Sequence, residues 1–185
     1  MSTEPLVLGT IALAIAVTVV GAVVYAHRAS RDRLELEGTL EDALAAELGP
    51  GLGTHLEEPV TVKRLAVVDE CDGEPVYVPV VHVPLGTTDA PKMDLVFEYV
   101  ADVLRVVHPI LEGERVRRYD VQFSFGPGGL LVSGECRRVS MSPAMAARLL
   151  EEETYRTHDL RRDVEAGDGE DVTAPVAWGP CDDGR

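Results

Sequence analysis

YDVQFSFGPGGLLVSGECRR, residues Tyr119–Arg138, is the stretch on which the fold turns. Two runs rich in aromatic and β-branched residues, Tyr119–Phe125 and Leu130–Arg138, flank Gly126-Pro127-Gly128-Gly129. Glycine tolerates positive φ and proline fixes its own, so the segment reads as a β-hairpin. Pairing Phe125 with Leu130 sets a register in which Tyr119 faces Cys136, Val121 faces Gly134 and Phe123 faces Val132. That face is apolar or small, whereas the other pairs Asp120 with Glu135 and Gln122 with Ser133. One dry face and one wet face describe a half-covered antiparallel sheet.

A second hairpin precedes it. Val60–Glu70 and Pro75–Val83 surround Asp72-Gly73, a strong two-residue turn signal. Pro75 and Pro79 share a parity, so their missing N–H groups point to one side and predict an edge strand over that stretch. Val76, Val78 and Val80 alternate with Tyr77, Pro79 and Val81, which makes the strand apolar on both faces. One helical layer cannot cover both, so Val76, Val78 and Val80 form a candidate interaction strand. Its partner would be the C-terminal segment, another protein or a second copy.

Helices separate the hairpins. Thr39-Leu40-Glu41-Asp42 has a capping Thr and first-turn acids, Leu40, Leu44 and Leu48 share a face, and Gly49-Pro50-Gly51 stops the helix. From Thr87–Pro91 onward, Leu95, Val96, Val100, Val103, Leu104 and Val107 form an apolar stripe opposite Asp94, Glu98, Asp102 and Arg105. Pro109 and Gly113 end that helix. Ser142-Pro143 caps a last helix that runs to about His158. The order α-ββ-α-ββ-α predicts an α+β domain over 39–165, with a four-stranded antiparallel sheet and helices mainly on one face. Residues 166–185, acidic and rich in Gly and Pro, read as a disordered tail. Trp178 within it is out of place there and either docks back on the domain, the favoured reading, or marks a short linear motif.

Upstream, Leu6–Ala26 reads LVLGTIALAIAVTVVGAVVYA and holds no charge over 21 positions. As a helix it would span roughly 30 Å, a bilayer's hydrocarbon thickness. A secretory signal would have a basic start and a shorter apolar core, whereas the five residues before this run carry only Glu4. The run therefore reads as a retained single-pass anchor. Tyr25 and Arg28, with Arg31 and Arg33 beyond, suit the membrane interface, and residues 27–38 form a charged linker. Cations on that side place residues 1–5 outside and the domain in the cytoplasm.

Charge narrows the partners. Net charge is −15, and of 17 cations only Lys63 and Lys92 are lysines. The acidity lies beyond residue 33, which argues against nucleic acid and against anionic lipid as binding surfaces for the domain. High acid with almost no lysine resembles, as a class, proteins that work in molar salt, where a Debye length of about 3 Å screens self-repulsion. Cys71, Cys136 and Cys181 are too few and scattered for a disulfide framework, and the odd count suits a reducing interior.

Few groups invite chemistry. Cys136 reads as a small core residue opposite Tyr119. Cys71 sits among Asp69, Glu70, Asp72 and Glu74, which disfavour a thiolate, and the hairpin register puts His82 opposite Lys63, far from it. His82, His108 and His158 stand alone, without paired metal-ligand spacing. No catalytic, metal or cofactor motif is present. The unusual cluster is basic. In the expected register Arg118 opposes Arg137 and Arg117 opposes Arg138, with Arg115 just beyond. Opposed like charges are unfavourable, so either diagonal pairs such as those to Asp120 and Glu135 neutralise them, or they form an anion or acidic-partner site. The sequence thus points to a membrane-anchored interaction or assembly module. The alternative is a tethered small-anion-binding protein or enzyme built on Arg115, Arg117, Arg118, Arg137 and Arg138.

Overall fold

The computed structural model describes residues 27, 30–51, 55–56, 58–126, 134–167 and 174–181. The chain divides into two units, Met1–Gly38 and Thr39–Arg185. In the first, the described residues 27 and 30–38 are helical, with Arg31 exposed and Arg33 half-buried. The expected anchor Leu6–Ala26 and its interfacial residues Tyr25 and Arg28 lie outside the described residues. Among the described residues no helix is long and apolar enough to cross a membrane.

The second unit opens inside a helix, whose residues 39–47 form α1 and carry the fully buried Leu40 and Leu44; residues 30–38 are already helical, so Thr39 is an interior helical residue and not the cap expected of it. Then come β1 (Thr61–Cys71), β2 (Glu74–Pro84), α2 (Met93–Ile110), β3 (Arg115–Val116), β4 (Tyr119–Phe125), β5 (Glu135–Met141), α3 (Pro143–Glu151), α4 (Thr157–Gly167) and β6 (Val176–Pro180). The fold is α+β, but the sheet is neither four-stranded nor purely antiparallel. It has six strands in the order β1-β2-β4-β5-β6, with β3 also paired to β2. The mixed topology follows from α2. This helix carries the chain from the end of β2 back to the start of β4, so the two strands run parallel. Hairpin signals fix pairing within a hairpin and say nothing about how two hairpins dock.

The first hairpin turns through Asp72 at φ 57° and Gly73 at φ 82°, the two positive values that a type I′ turn requires. Contrary to the edge-strand expectation, β2 lies inside the sheet, and Tyr77 through Val81 are all buried. Its prolines are accommodated by an interruption in the neighbouring ladder. Tyr77 O accepts from Arg117 N at 2.9 Å, so Pro75 and Pro79, of like parity, turn their nitrogens to the same side. There β2 pairs with β3 only at Val76 and Tyr77 and with β4 only from Val80 onward, leaving Pro79 opposite the gap. Val78 and Val80 of the candidate interaction strand are buried and Val76 is half-buried.

The second hairpin has a different register from the one expected. Phe125 pairs with Glu135, Val121 with Val139 and Tyr119 with Met141. Arg118 and Arg137 are therefore not opposed, nor are Arg117 and Arg138. The connection runs from Gly126 to Gly134, and its residues 127–133, with Leu130, Val132 and Ser133 of the expected pairs, lie outside the described residues. Burial explains the choice. This register puts Val139 and Met141 on the core face, exposed by 0% and 1%. The expected one would have placed the smaller Cys136 and Gly134 there, removing less apolar area from water. Gly134 permits the close approach, since a Cβ on it would stand 2.7 Å from Phe125 O.

At the C-terminus the expected single helix is two. Ser142 caps α3, its side chain accepting from Met145 N, with Pro143 in the first turn. The chain leaves the helix at Glu152, and Tyr155 buries itself under the Arg148 guanidinium, 4.2 Å from the ring centroid. Asp159 then accepts from Arg156 N at 3.1 Å and starts α4. The tail reading is corrected too. Val176–Pro180 is β6, paired antiparallel with β5, while 168–173 and 182–185 lie outside the described residues. Trp178 does dock. Its ring is 6.0 Å from both Phe123 and Phe125 and is stacked on the latter. Cys136 and Cys181 form a disulfide across β5 and the end of β6, which removes the cysteine argument for a reducing interior.

Candidate functional site

Alternation along β4 gives the sheet two different faces. Tyr119, Val121, Phe123 and Phe125 form one, and the hydrogen bond of 2.8 Å between Tyr119 OH and His108 Nδ1 fixes this as the α2 side. Burial pushes the Tyr119 phenol well above its ordinary range, so it stays protonated in that contact. Asp120, Gln122 and Ser124 form the other face. Residues opposite one another in neighbouring strands share a face, so Arg64, Val80, Asp120 and Ser140 make one row across it. Thr61, His82, Gln122 and Arg138 make the next.

This face was expected to be wet. Instead Asp120, Gln122 and Ser140 are buried, at 4%, 1% and 1% exposure. A buried carboxylate must be matched. Asp120 accepts from Ser140 Oγ at 2.6 Å and from Arg118 Nε and Nη2 at 3.0 and 3.2 Å. Arg138 Nη1 lies 4.0 Å from its second oxygen. Gln122 Oε1 accepts from Lys63 Nζ at 3.0 Å. Ser124 Oγ and His82 Nε2 share a hydrogen bond of 2.9 Å.

The five arginines singled out by sequence do not converge. Arg115 binds Glu74 at 2.7 Å and Arg117 binds Asp69 at 2.5 Å, both at the first hairpin's turn end. Arg137 lies on the α2 face and pairs with Glu135 at 2.7 Å. Only Arg118 and Arg138 meet, at Asp120. Pairs with Asp120 and Glu135 do form: Arg118–Asp120 and Arg137–Glu135 run two residues along the chain, whereas Arg138–Asp120, at 4.0 Å, crosses diagonally from β5 to β4. What sequence reasoning missed is Lys63-Arg64. A shift in the β1–β2 register between Val62 and Arg64 makes Lys63 an extra residue, and Arg64 then takes the polar face. The signal was legible, because Val62 and Leu65, both buried, are three apart, a spacing that a regular strand cannot put on one face.

Local electrostatics follow from this arrangement. His82 titrates below its ordinary value, first because it is desolvated and second because Lys63 is near, with Glu58 opposing weakly. The ring is therefore neutral at pH 7. Its pKa is lower folded than unfolded, so its contribution is fully present above the unfolded value of about 6.5 and is lost as pH falls through the folded value. Urea midpoints are expected to fall from pH 7 to pH 5, and His82→Gln should flatten that slope. An unchanged slope in the variant would show that other groups set it.

As chemistry, Ser124–His82 is a hydroxyl against a neutral base, but among the described residues no third group orients the ring. Among the described residues no group of three or more His, Cys, Asp or Glu could hold a metal ion. Cys71 is exposed, with its Sγ 3.7 Å from Asp72 Oδ2. The clefts lie elsewhere. One of about 540 Å³ lies among α2, α3 and α4, lined by Asp94, Phe97, Leu149, Tyr155 and Arg161 among others. Tyr155 there is held up at about 12 by burial and by its hydrogen bond to Asp163, so it is no base. Another of about 610 Å³ opens beside Gly86–Lys92, where α2 begins without a side-chain cap. No protein-family model, curated protein or solved structure matches the chain.

Proposed function

We propose that this chain is a non-enzymatic interaction module, tethered to a membrane by Leu6–Ala26, whose task is to recruit or assemble a protein partner. The observation that supports it best is the asymmetry of the sheet. One face carries α2. The other carries a buried polar floor of Asp120, Gln122 and Ser140, with Lys63 exposed at its rim and Arg64 half-buried beside it. A floor whose polar groups are satisfied by one another suits a surface to be covered better than a reaction centre, which needs a free nucleophile or base. The engagement of Arg115, Arg117 and Arg137 with carboxylates likewise weakens the small-anion alternative. Orientation is part of the proposal. Arg28, Arg31 and Arg33 favour a domain on the inner side of the membrane.

The test uses the scarcity of lysine. Only Lys63 and Lys92 carry side-chain amines, the first on the polar face and the second at the start of α2. Amine-reactive crosslinking of the full chain in native membranes at high salt, followed by mass spectrometry, should capture one stoichiometric protein through Lys63. Recovery of the chain alone, or capture only through Lys92, would overturn this reading.

A further inference from the structure

We propose that the Cys136–Cys181 bond is a redox latch: oxidation fastens β6 along the edge of β5, and reduction by a dithiol lets its C-terminal end peel away with Trp178. The inference rests on the inward orientation given with the interaction-module reading, and it adds how that module is regulated. A disulfide and a reducing interior are compatible when the bond is transient and senses redox state rather than acting as a permanent staple. The placement of this bond fits the transient kind. It joins an edge strand to the sheet, not two parts of the core. β6 is last in the strand order, half-buried over Val176–Gly179 and exposed at Pro180. Cys136 and Cys181 are themselves half-buried rather than enclosed, so a thiol reagent meets them at the margin of the sheet. Exposed disulfides are the labile and regulatory ones.

The ladder beside the bond is weak. β6 pairs with β5 at Pro180–Arg137, Gly179–Arg138 and Val176–Ser140, and a register shift between Arg138 and Ser140 takes the middle of the strand out of step. Pro180 has no N–H to donate. The other end of β6 is secured by packing, since a Cβ on Gly167 of α4 would stand 3.1 Å from Pro175 Cγ. Opening the bond therefore frees the C-terminal end and leaves the N-terminal end in place. Trp178 lies between the two, its ring 6.0 Å from both Phe123 and Phe125. Those phenylalanines are 0% and 5% exposed and lose this cover when the strand peels. β5 then becomes a sheet edge with unpaired N–H and C=O groups, the kind of edge another strand can pair with.

The chemistry is thiol–disulfide exchange. A thiolate of the dithiol attacks one sulfur of the pair, the S–S bond breaks, and the other cysteine leaves as a thiolate. The second thiolate of the reductant then displaces the first cysteine from the mixed disulfide. Two electrons and two protons pass to the pair, and the dithiol leaves as a disulfide. The reverse exchange with a disulfide oxidant refastens β6. Cys71 takes no part, because it lies at the turn end of β1, and β2 and β4 separate that strand from β5.

The test equilibrates the full chain, in detergent, in glutathione buffers of graded reduced-to-oxidised ratio. Maleimide mass shift counts the thiols, and tryptophan emission and hydrogen exchange follow β6 and β5. The bond should pass from closed to open within the series and close again when the ratio is reversed. On opening, emission should shift to the red and exchange over Glu135–Met141 should quicken about tenfold or more, while α2 keeps its protection. Cys71→Ser should cycle unchanged, and Cys136→Ser/Cys181→Ser should show the open-form emission and exchange in every buffer. A bond that stays closed in fully reduced glutathione, or opens with no change in emission or in β5 exchange, would overturn the inference. So would a double variant that matches the closed form. Orientation is tested separately. A membrane-impermeant maleimide applied to intact cells should leave the exposed Cys71 unlabelled. Labelling would reject the inward orientation and with it the regulatory role, whereas a bond that fails to cycle while Cys71 stays unlabelled would reject the latch alone.

Discussion

Replacing Asp120 by Asn is expected to destabilise the domain by about 3–5 kcal/mol, the cost of breaking a buried, hydrogen-bonded ion group by removing one partner. Asp120 is 4% exposed and holds three groups at once: Ser140 Oγ, the Arg118 fork and, more loosely, Arg138. The amide offers one neutral oxygen in place of two charged ones and turns N–H donors toward guanidinium groups that can only donate. Two guanidinium groups, each less than a fifth exposed, would then meet a neutral amide in place of the Asp120 carboxylate. The check is the unfolding midpoint in urea across a KCl series. Because the group is buried, the loss should persist at high salt, where exposed pairs such as Arg115–Glu74 are screened. A second variant separates charge from shape. Asp120→Leu combined with Arg118→Met and Arg138→Met replaces the ion group by apolar side chains and should recover most of the lost stability. If Asp120→Asn unfolds at the wild-type midpoint, Asp120 is not the clasp of this face.

How much of this was legible depends on whether a signal was local. The Asp72-Gly73 turn, the Ser142-Pro143 cap and the apolar stripe of α2 are set by neighbours in sequence and were read correctly. The register of β4 with β5 was not, because a glycine-rich run marks where a turn can form without saying how long it is. Competition between Val139 or Met141 and Cys136 or Gly134 for the core face decided it, and that is a tertiary comparison. From the wrong register came an arginine cluster that does not exist as drawn. The pairing of β2 with β4 was equally hidden, since antiparallel hairpins can still dock in parallel when a helix intervenes. The site suffered most. Lys63-Arg64 could have been found from the spacing of Val62 and Leu65, but the burial of Asp120 needs both β5 and the arginine canopy, neither of which follows from one strand's alternation. Trp178 shows the converse: a large apolar residue in a polar tail correctly implied docking, while composition alone implied no strand there.

Opening the bond between Cys136 and Cys181 is expected to produce the second large effect. It closes a loop with a sequence separation of 45, for which chain entropy in the unfolded state predicts a stabilisation of about 4 kcal/mol. The local consequence should be larger than that figure suggests. β6 has five residues, ends in Pro180, and occupies a sheet edge, so the disulfide is what ties its end to β5. Its Trp178 is the chain's one tryptophan and covers Phe123 and Phe125. In the Cys136→Ser/Cys181→Ser variant the urea midpoint should fall, and the tryptophan emission should shift to the red before global unfolding as β6 lifts off. If the emission stays blue until the whole domain unfolds, the aromatic stack holds β6 without the bond. The same pair reports the compartment. Maleimide labelling of denatured protein from intact cells should modify Cys71 alone if the bond is closed in place, and all three cysteines if it is open. A closed bond demands an oxidising environment and would set the domain on the opposite side of the membrane from that favoured by Arg28, Arg31 and Arg33. An open bond would keep the domain inside and make the attachment of β6, with Trp178 on it, the part of the sheet that loosens first.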